Sequence, residues 1–217
     1  MRKLLTLNGI LSLAALAAGA PLAFLIFDTH LAQPGRVPDG WRIKVTRGVP
    51  DVRVTNDPAG SVLHLMSRSS SFALERGVDI DPAQYPYLAW KWKVAELPRG
   101  GDFRRASTDD QAAQVFAAFA DRRILTYIWD TSAPKDSFQS ASSIPLVHIW
   151  AFVCRSGSAD LNRWVSESRN VARDYERAYG RGAVPRIKGV RLQINSQHTG
   201  SSAETYFGEV AFRSTPQ

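Results

Sequence analysis

The chain has 217 residues, 44% of them hydrophobic and 22% charged, with a formal net charge of +7. These proportions exclude a disordered or collagen-like chain and leave room for one domain of ordinary size with its own core. Arginine outnumbers lysine by 21 to 6. Arginine is the better fork for carboxylate or phosphate, although a compositional bias accounts for the excess more simply. The basic residues are scattered rather than striped, which argues against nucleic acid as a partner.

The first residues differ from the rest. Arg2 and Lys3 precede an uncharged run of 24 residues from Leu4 to Phe27, where about 20 suffice for a helix to cross a bilayer. Ala18-Gly19-Ala20 has the small-x-small form of a signal-peptidase site, but Pro21 follows it and the apolar run continues. The expectation is a signal peptide or uncleaved signal-anchor over residues 1–28, an N-terminal hydrophobic helix in either case. A Pro/Gly linker over 29–40 and an exported domain over 41–214 follow. That places the domain in the periplasm, either free or tethered to the inner membrane.

From Trp41 on, apolar and polar residues alternate, the signature of half-buried strands. "WRIKVT", "DVRVT", "SVLHLMS" and "SFALER" read as short strands separated by turns. "YLAWKWKV" is the cleanest, with Leu88, Trp90, Trp92 and Val94 on one face. After the polar loop "ELPRGGDFRRASTDD" come "QAAQVFAAF" and "RILTYIW", a hairpin. A second polar loop leads to "IPLVHIWAFVC", apolar on both faces as a strand covered on both sides would be. Trp164 to Gly180 reads as one helix, and "VPRIKGVRLQINS" and "ETYFGEVAFRS" are the last strands. Many short strands without βα alternation predict an all-β fold, an antiparallel β-sandwich of jelly-roll type with one inserted helix. A ligand would lie on a concave outer face or in the loops at one end.

"WKWKV…LP…GD", "STDDQAAQVFAAF", "LTYIWD", "W…E.RNV..DYERAYG" and "GVRLQINS…TYFGEVAF" occur in this order over about residues 85 to 213. Together they resemble the bacterial family called domain of unknown function 3047. The resemblance implies an exported β-rich domain similar to galactose-binding-like or carbohydrate-binding sandwiches. The family's acidic pair falls on Asp109 and Asp110, and its helix motif on Glu167, Arg169, Asn170, Asp174 and Tyr175. Where the family tends to be acidic before "TG", this chain has Ser196-Gln197-His198.

Two readings attach to each constellation. Asp109 and Asp110 are acid/base or calcium-ligand candidates, or partners of Arg104, Arg105 or Arg169. Glu167 and Asp174, seven apart on a helix, would share a face about 10 Å apart. They are a buried tether, a polar ligand site with Arg169, Asn170 and Tyr175, or a catalytic pair. Trp90 and Trp92 share a face with Leu88 and Val94 and belong in a core. Tyr127 and Trp129, opposite Ile124, Thr126 and Ile128, are the better candidates for an exposed sugar-stacking platform. Cys154 is alone in an apolar run, and no zinc, P-loop or nucleophile-elbow spacing is present. No cofactor is indicated, although a calcium site assembled from separate loops stays open. The sequence is read as a non-catalytic exported binding module for a glycan or other anionic envelope polymer. The alternatives are a carbohydrate-active hydrolase or lyase using the four acidic residues, and a structural envelope protein with a protein partner.

Overall fold

A computed structural model of the protein describes residues 22–58, 60–141 and 147–217. Thirteen strands and one α-helix are present among them. In chain order the strands are β1 (Ala23–Phe27), β2 (Trp41–Arg47), β3 (Asp51–Asp57), β4 (Gly60–Arg68), β5 (Ser71–Ile80), β6 (Tyr87–Glu96) and β7 (Ala113–Phe119). There follow β8 (Arg123–Asp130), β9 (Phe138–Ser140), β10 (His148–Ser156), β11 (Val165–Asn170), helix α1 (Val171–Tyr179), β12 (Ile187–Asn195) and β13 (Ser202–Arg213). One sheet runs β11-β6-β13-β4-β3, with β1 paired to the far end of β13. The other runs β2-β5-β12-β7-β8-β10-β9. All pairings are antiparallel except β8 with β10. The chain leaves β8, forms the edge strand β9, and returns between the two, so β10 must run antiparallel to β9 and alongside β8. The expected all-β sandwich with one short helix is the fold.

The core lies between the sheets, and period-two alternation places it. Leu88, Trp90, Trp92 and Val94 of β6 are all buried. Facing them are Leu125, Tyr127 and Trp129 of β8, which contradicts the expected exposed platform: Tyr127 and Trp129 are 0% exposed. Trp92 meets Trp129 edge-on at 5.7 Å and Trp90 meets Tyr127 at 5.3 Å across the sandwich. Strand β8 is apolar on both faces, so alternation alone does not say which face turns inward. The larger rings win the interior because each buries about 150–250 Å², worth at most about 4–6 kcal/mol.

The predicted helix over 164–180 is half strand. Val165–Asn170 pairs with β6 as the edge of its sheet, and the helix begins only at Val171. Asn170 sets that boundary: its side-chain oxygen accepts a hydrogen bond from the Arg173 N–H at 3.0 Å, an N-cap. Glu167 therefore sits on a strand, shares no helix face with Asp174, and takes Arg155 as its partner at 2.7 Å. Helix α1 closes the sandwich beside β8. Tyr175 packs on Phe119 at 4.6 Å, and the Tyr179 hydroxyl lies 2.6 Å from the His148 carbonyl.

The apolar leader also divides differently. Residues 1–21 of that segment lie outside the described residues. Its end, Ala23–Phe27, is a strand on β13 rather than the close of a hydrophobic helix, with Ile26 and Phe27 in the core. The following stretch is tied down: Gly35 N–H donates to the Val54 carbonyl and Ser61 N–H to that of Thr29.

On the outer face of the six-stranded sheet, Arg53, His64, Tyr206 and Lys93 stand side by side in register. Tyr206 stacks on His64 at 4.4 Å, Lys93 lies over the Tyr206 ring, and both His64 and the Tyr206 hydroxyl bond Glu204 at 2.7 Å. Burial pushes the Glu204 carboxyl upward, but these hydrogen bonds outweigh it and the group titrates below its ordinary 4.5. A depressed carboxyl contributes its stability above the unfolded value and loses it as pH falls through the folded one. Glu204→Gln is expected to destabilise by about 1 kcal/mol at neutral pH. Urea-unfolding curves of the two proteins should converge as pH falls below the lowered value of the Glu204 carboxyl, and a constant gap would contradict this.

Candidate functional site: a groove across the seven-stranded sheet

The outer face of the seven-stranded sheet is set by the same alternation that builds the core. With Val115 and Leu192 turned inward, Gln114 and Phe116 of β7 and Arg191, Gln193 and Asn195 of β12 must point out. One register row across this face reads Arg42, Glu75, Arg191, Phe116, Thr126, Ala151. The row beside it reads Gly77, Gly189, Ala118, Ile124. Two depressions cross these rows, of about 140 Å³ over β12, β7, β8 and β10 and about 210 Å³ over β2, β5, β12 and β7. Both are lined by Phe116 and Arg191. The Arg191 guanidinium lies 5.3 Å over the Phe116 ring and is held there by Glu75. With strands about 4.8 Å apart, the groove from β10 to β2 is roughly 24 Å long.

Long loops wall one end. A second apolar cluster of Phe103, Ile128, Ala133, Ala151 and Val153 sits on this outer face. It exists because the loops after β6 and β8 fold back onto the sheet. Asp130 pins them together, accepting backbone hydrogen bonds from Phe103, Ser132 and Ala133 at 2.7–3.0 Å. Gly101 is required in this wall, since a Cβ there would fall 2.4 Å from the Asp110 carbonyl oxygen.

Polar atoms converge in the 140 Å³ depression. Asn195 accepts from Gln114 Nε2 at 2.6 Å and donates to the Asp109 carbonyl at 2.7 Å. Gln111 Nε2 donates to the Asp109 carboxylate at 2.9 Å. Burial and the charge of Asp110 raise the Asp109 carboxyl against that hydrogen bond and His198, and the net direction is upward. The Thr126 hydroxyl is different. The residue is 3% exposed and its oxygen has no hydrogen-bond partner among the described residues. A buried polar group without a partner costs about 1–3 kcal/mol, and this one lines the depression.

The four acidic residues singled out in the sequence do not gather. Asp109 lines the groove. Asp110 is wholly buried beside it, and its partners are not arginines: it accepts from Thr199 N–H at 2.6 Å, His198 N–H at 3.2 Å and Asn195 Nδ2 at 3.2 Å. Glu167 belongs to Arg155. Asp174 accepts two hydrogen bonds from Arg169, at 2.8 and 3.0 Å, and one from Tyr127 Oη at 2.9 Å. The predicted ligand residues away from the groove have internal partners too. Arg169 lies 5.1 Å over Phe152, Asn170 caps the helix, and Tyr175 donates to Asp121 and accepts from Arg123. No three metal-ligating His, Cys, Asp or Glu side chains cluster among the described residues. Sequence reading passed over Gln114, Phe116, Thr126, Arg191 and Gln193. The signal was there in "QVF" and "RLQIN", where polar residues alternate on strands too central to face bulk solvent.

The topology and groove define a jelly-roll-like β-sandwich with an open trough across one outer face. The chain belongs to the family DUF3047, protein of unknown function, which matches residues 39–211. No match was found among curated proteins. Among solved structures, the xyloglucanase domain of a type three effector (NopAA) from Sinorhizobium fredii, in complex with cellobiose, is similar in fold. It shows 8% identity over 88% of this chain and 100% of that one, with a TM-score of 0.50. An endoglucanase from Rhodothermus marinus gives 8% identity, 89% and 100% coverage and a TM-score of 0.49. A family 11 carbohydrate-binding module from Clostridium thermocellum, in complex with a mixed-linked tetrasaccharide, gives 9%, 89% and 97%, and 0.47. At such identities the likeness is one of fold alone.

Proposed function

We propose that this protein is an exported glycan-binding module whose ligand lies in the groove across the seven-stranded sheet. One observation carries the reading: the Thr126 hydroxyl is buried and unpartnered in a depression that also holds side-chain amides, the Asp109 carboxyl, apolar side chains and a flat Arg191–Phe116 stack. Sugars present hydroxyls that both donate and accept, and ring faces whose C–H groups favour flat surfaces. Sites for such ligands are concave, with a few placed polar groups on a largely apolar floor. The N-terminal apolar segment supports export. The platform is therefore not Tyr127 and Trp129, which serve the core.

The test is Thr126→Val, which removes the hydroxyl and keeps the shape. Removing an unpartnered buried hydroxyl should leave the melting temperature unchanged or slightly higher. Binding to whichever soluble polysaccharide the wild type takes should weaken about tenfold, the value of roughly one hydrogen bond. Calorimetric titration against a panel of polysaccharides reads both proteins. No binding by the wild type, or equal binding by the variant, would overturn the reading. Sugar release by the wild type would replace it with the hydrolase alternative, for which the raised Asp109 carboxyl at the groove wall is the proton-donor candidate.

A further inference from the structure

The two ends of the groove differ in charge. The end over β7, β8 and β10 offers amides and one carboxyl. The 210 Å³ end over β2, β5 and β12 carries the side chains of Arg42, Lys188 and Arg191 against a single carboxylate, Glu75. Glu75 is taken up by Arg191. Lys188 reaches Asp79 at 2.7 Å, a carboxylate oxygen it shares with Arg186 at 2.6 Å, and Arg186 has Asp81 besides at 3.9 Å. Arg76, between the outward-facing Glu75 and Gly77, turns the other way and donates to the buried Ile26 carbonyl, so it adds no charge to this end. Arg42 has no carboxylate partner among the described residues.

The floor between these cations is kept low. Gly77, Gly189 and Ala118 stand side by side on three neighbouring strands, and a Cβ on Gly77 would meet nothing within 4 Å. Like charges gathered around a recess repel one another, and walls of low dielectric focus their field into it. Such an arrangement gains when an anion enters. Arginine in particular matches a carboxylate with two parallel N–H donors.

We propose that the ligand is an acidic glycan, with a uronate carboxylate seated in the recess between Arg42 and Lys188 and the neutral part of the chain running toward Thr126. This rests on the groove being the glycan site and names the class of sugar it selects. The geometry assigns the carboxylate to the β2–β5–β12 end because Arg42, without a carboxylate partner among the described residues, and Lys188, which shares Asp79 with Arg186, lie there, whereas the other end supplies hydroxyl-reading amides.

The experiment titrates the full chain with oligogalacturonate and, separately, with neutral xyloglucan and cello-oligosaccharides. The uronate is expected to bind more tightly and to lose affinity as salt is raised. Arg42→Gln and Lys188→Gln should each weaken uronate binding roughly tenfold while leaving neutral binding unchanged. Both side chains are exposed, so the variants should melt with the wild type. Arg163→Gln, a basic residue remote from the groove, should bind the uronate as the wild type does. Equal binding of neutral and acidic oligosaccharides, or uronate binding indifferent to Arg42 and Lys188, overturns the acidic selection and leaves the glycan groove standing. Failure of every oligosaccharide to bind overturns both.

Discussion

Asp174→Ala is expected to lower stability by about 2–3 kcal/mol without touching a ligand site. Asp174 is 8% exposed. Its carboxylate takes both forks of Arg169 and the Tyr127 hydroxyl. Arg169 belongs to the edge strand of one sheet and Tyr127 to the middle of the other, so a single carboxylate on the helix fastens both. Removing it strands a guanidinium over the Phe152 ring and a phenol in the core. Breaking a buried pair this way costs about 3–5 kcal/mol; the Arg169 side chain keeps 29% of its surface in water, which reduces the figure. The Arg169→Met, Asp174→Leu double variant should regain much of the loss, since no charge is then left unpaired. Urea-unfolding midpoints of the three proteins check the claim. A single variant within about 0.5 kcal/mol of wild type would show that the tether carries no weight.

Asp110→Ala should be comparably damaging for a different reason. Asp110 is fully buried and accepts the backbone N–H groups of His198 and Thr199 together with the Asn195 amide. Alanine leaves two backbone donors of that turn without partners, at about 1–3 kcal/mol each. For a chain of this size the melting temperature should fall by about 5–10 °C. Asp110→Asn keeps an acceptor and should fall less. Because Asn195 also orders Asp109 and Gln114, glycan affinity should drop along with stability in Asp110→Ala. Thr126→Val, by contrast, loses affinity alone. A thermal melt and a titration on the same samples separate the two patterns. Asp110→Ala melting with the wild type would refute the structural role.

Much of the scaffold was legible because it depends on local pattern. The alternation in "YLAWKWKV" put Leu88, Trp90, Trp92 and Val94 in the core, and "ADR" gave the β7–β8 hairpin. Asp174 is nearly buried and paired with Arg169 and Tyr127, as one of the three readings left open for it required, although its helix was drawn too long. The errors have physical causes. β8 is apolar on its outer face because Phe103 and Ala133 from distant loops cover it, so its alternation carried no direction and Tyr127 and Trp129 were turned outward. "VSESRN" is a polar edge strand defined by its pairing with β6, which no local pattern reveals; Asn170 as a helix cap was the one available sign. Ala23–Phe27 earns its place as a strand only by pairing with β13, about 190 residues away. The groove depends on register between β5, β12, β7 and β8, and register across loops of such length is not written in any one segment.

That late pairing has a consequence for how the molecule comes to be made. β12 is the middle strand joining β5 to β7, and β13 is the middle strand joining β4 to β6. As the chain emerges from a ribosome, eleven strands are complete before either sheet has its centre, and the edges of β4, β5, β6 and β7 stay open until then. Neither half can close ahead of the other, since both wait on neighbouring segments of the same tail. Folding is then dominated by long-range contacts, slow and late, with exposed edges that invite pairing with other chains. A chain exported before it folds would reach its final compartment with those edges still to be matched, and its yield there would depend on how well it is shielded on the way.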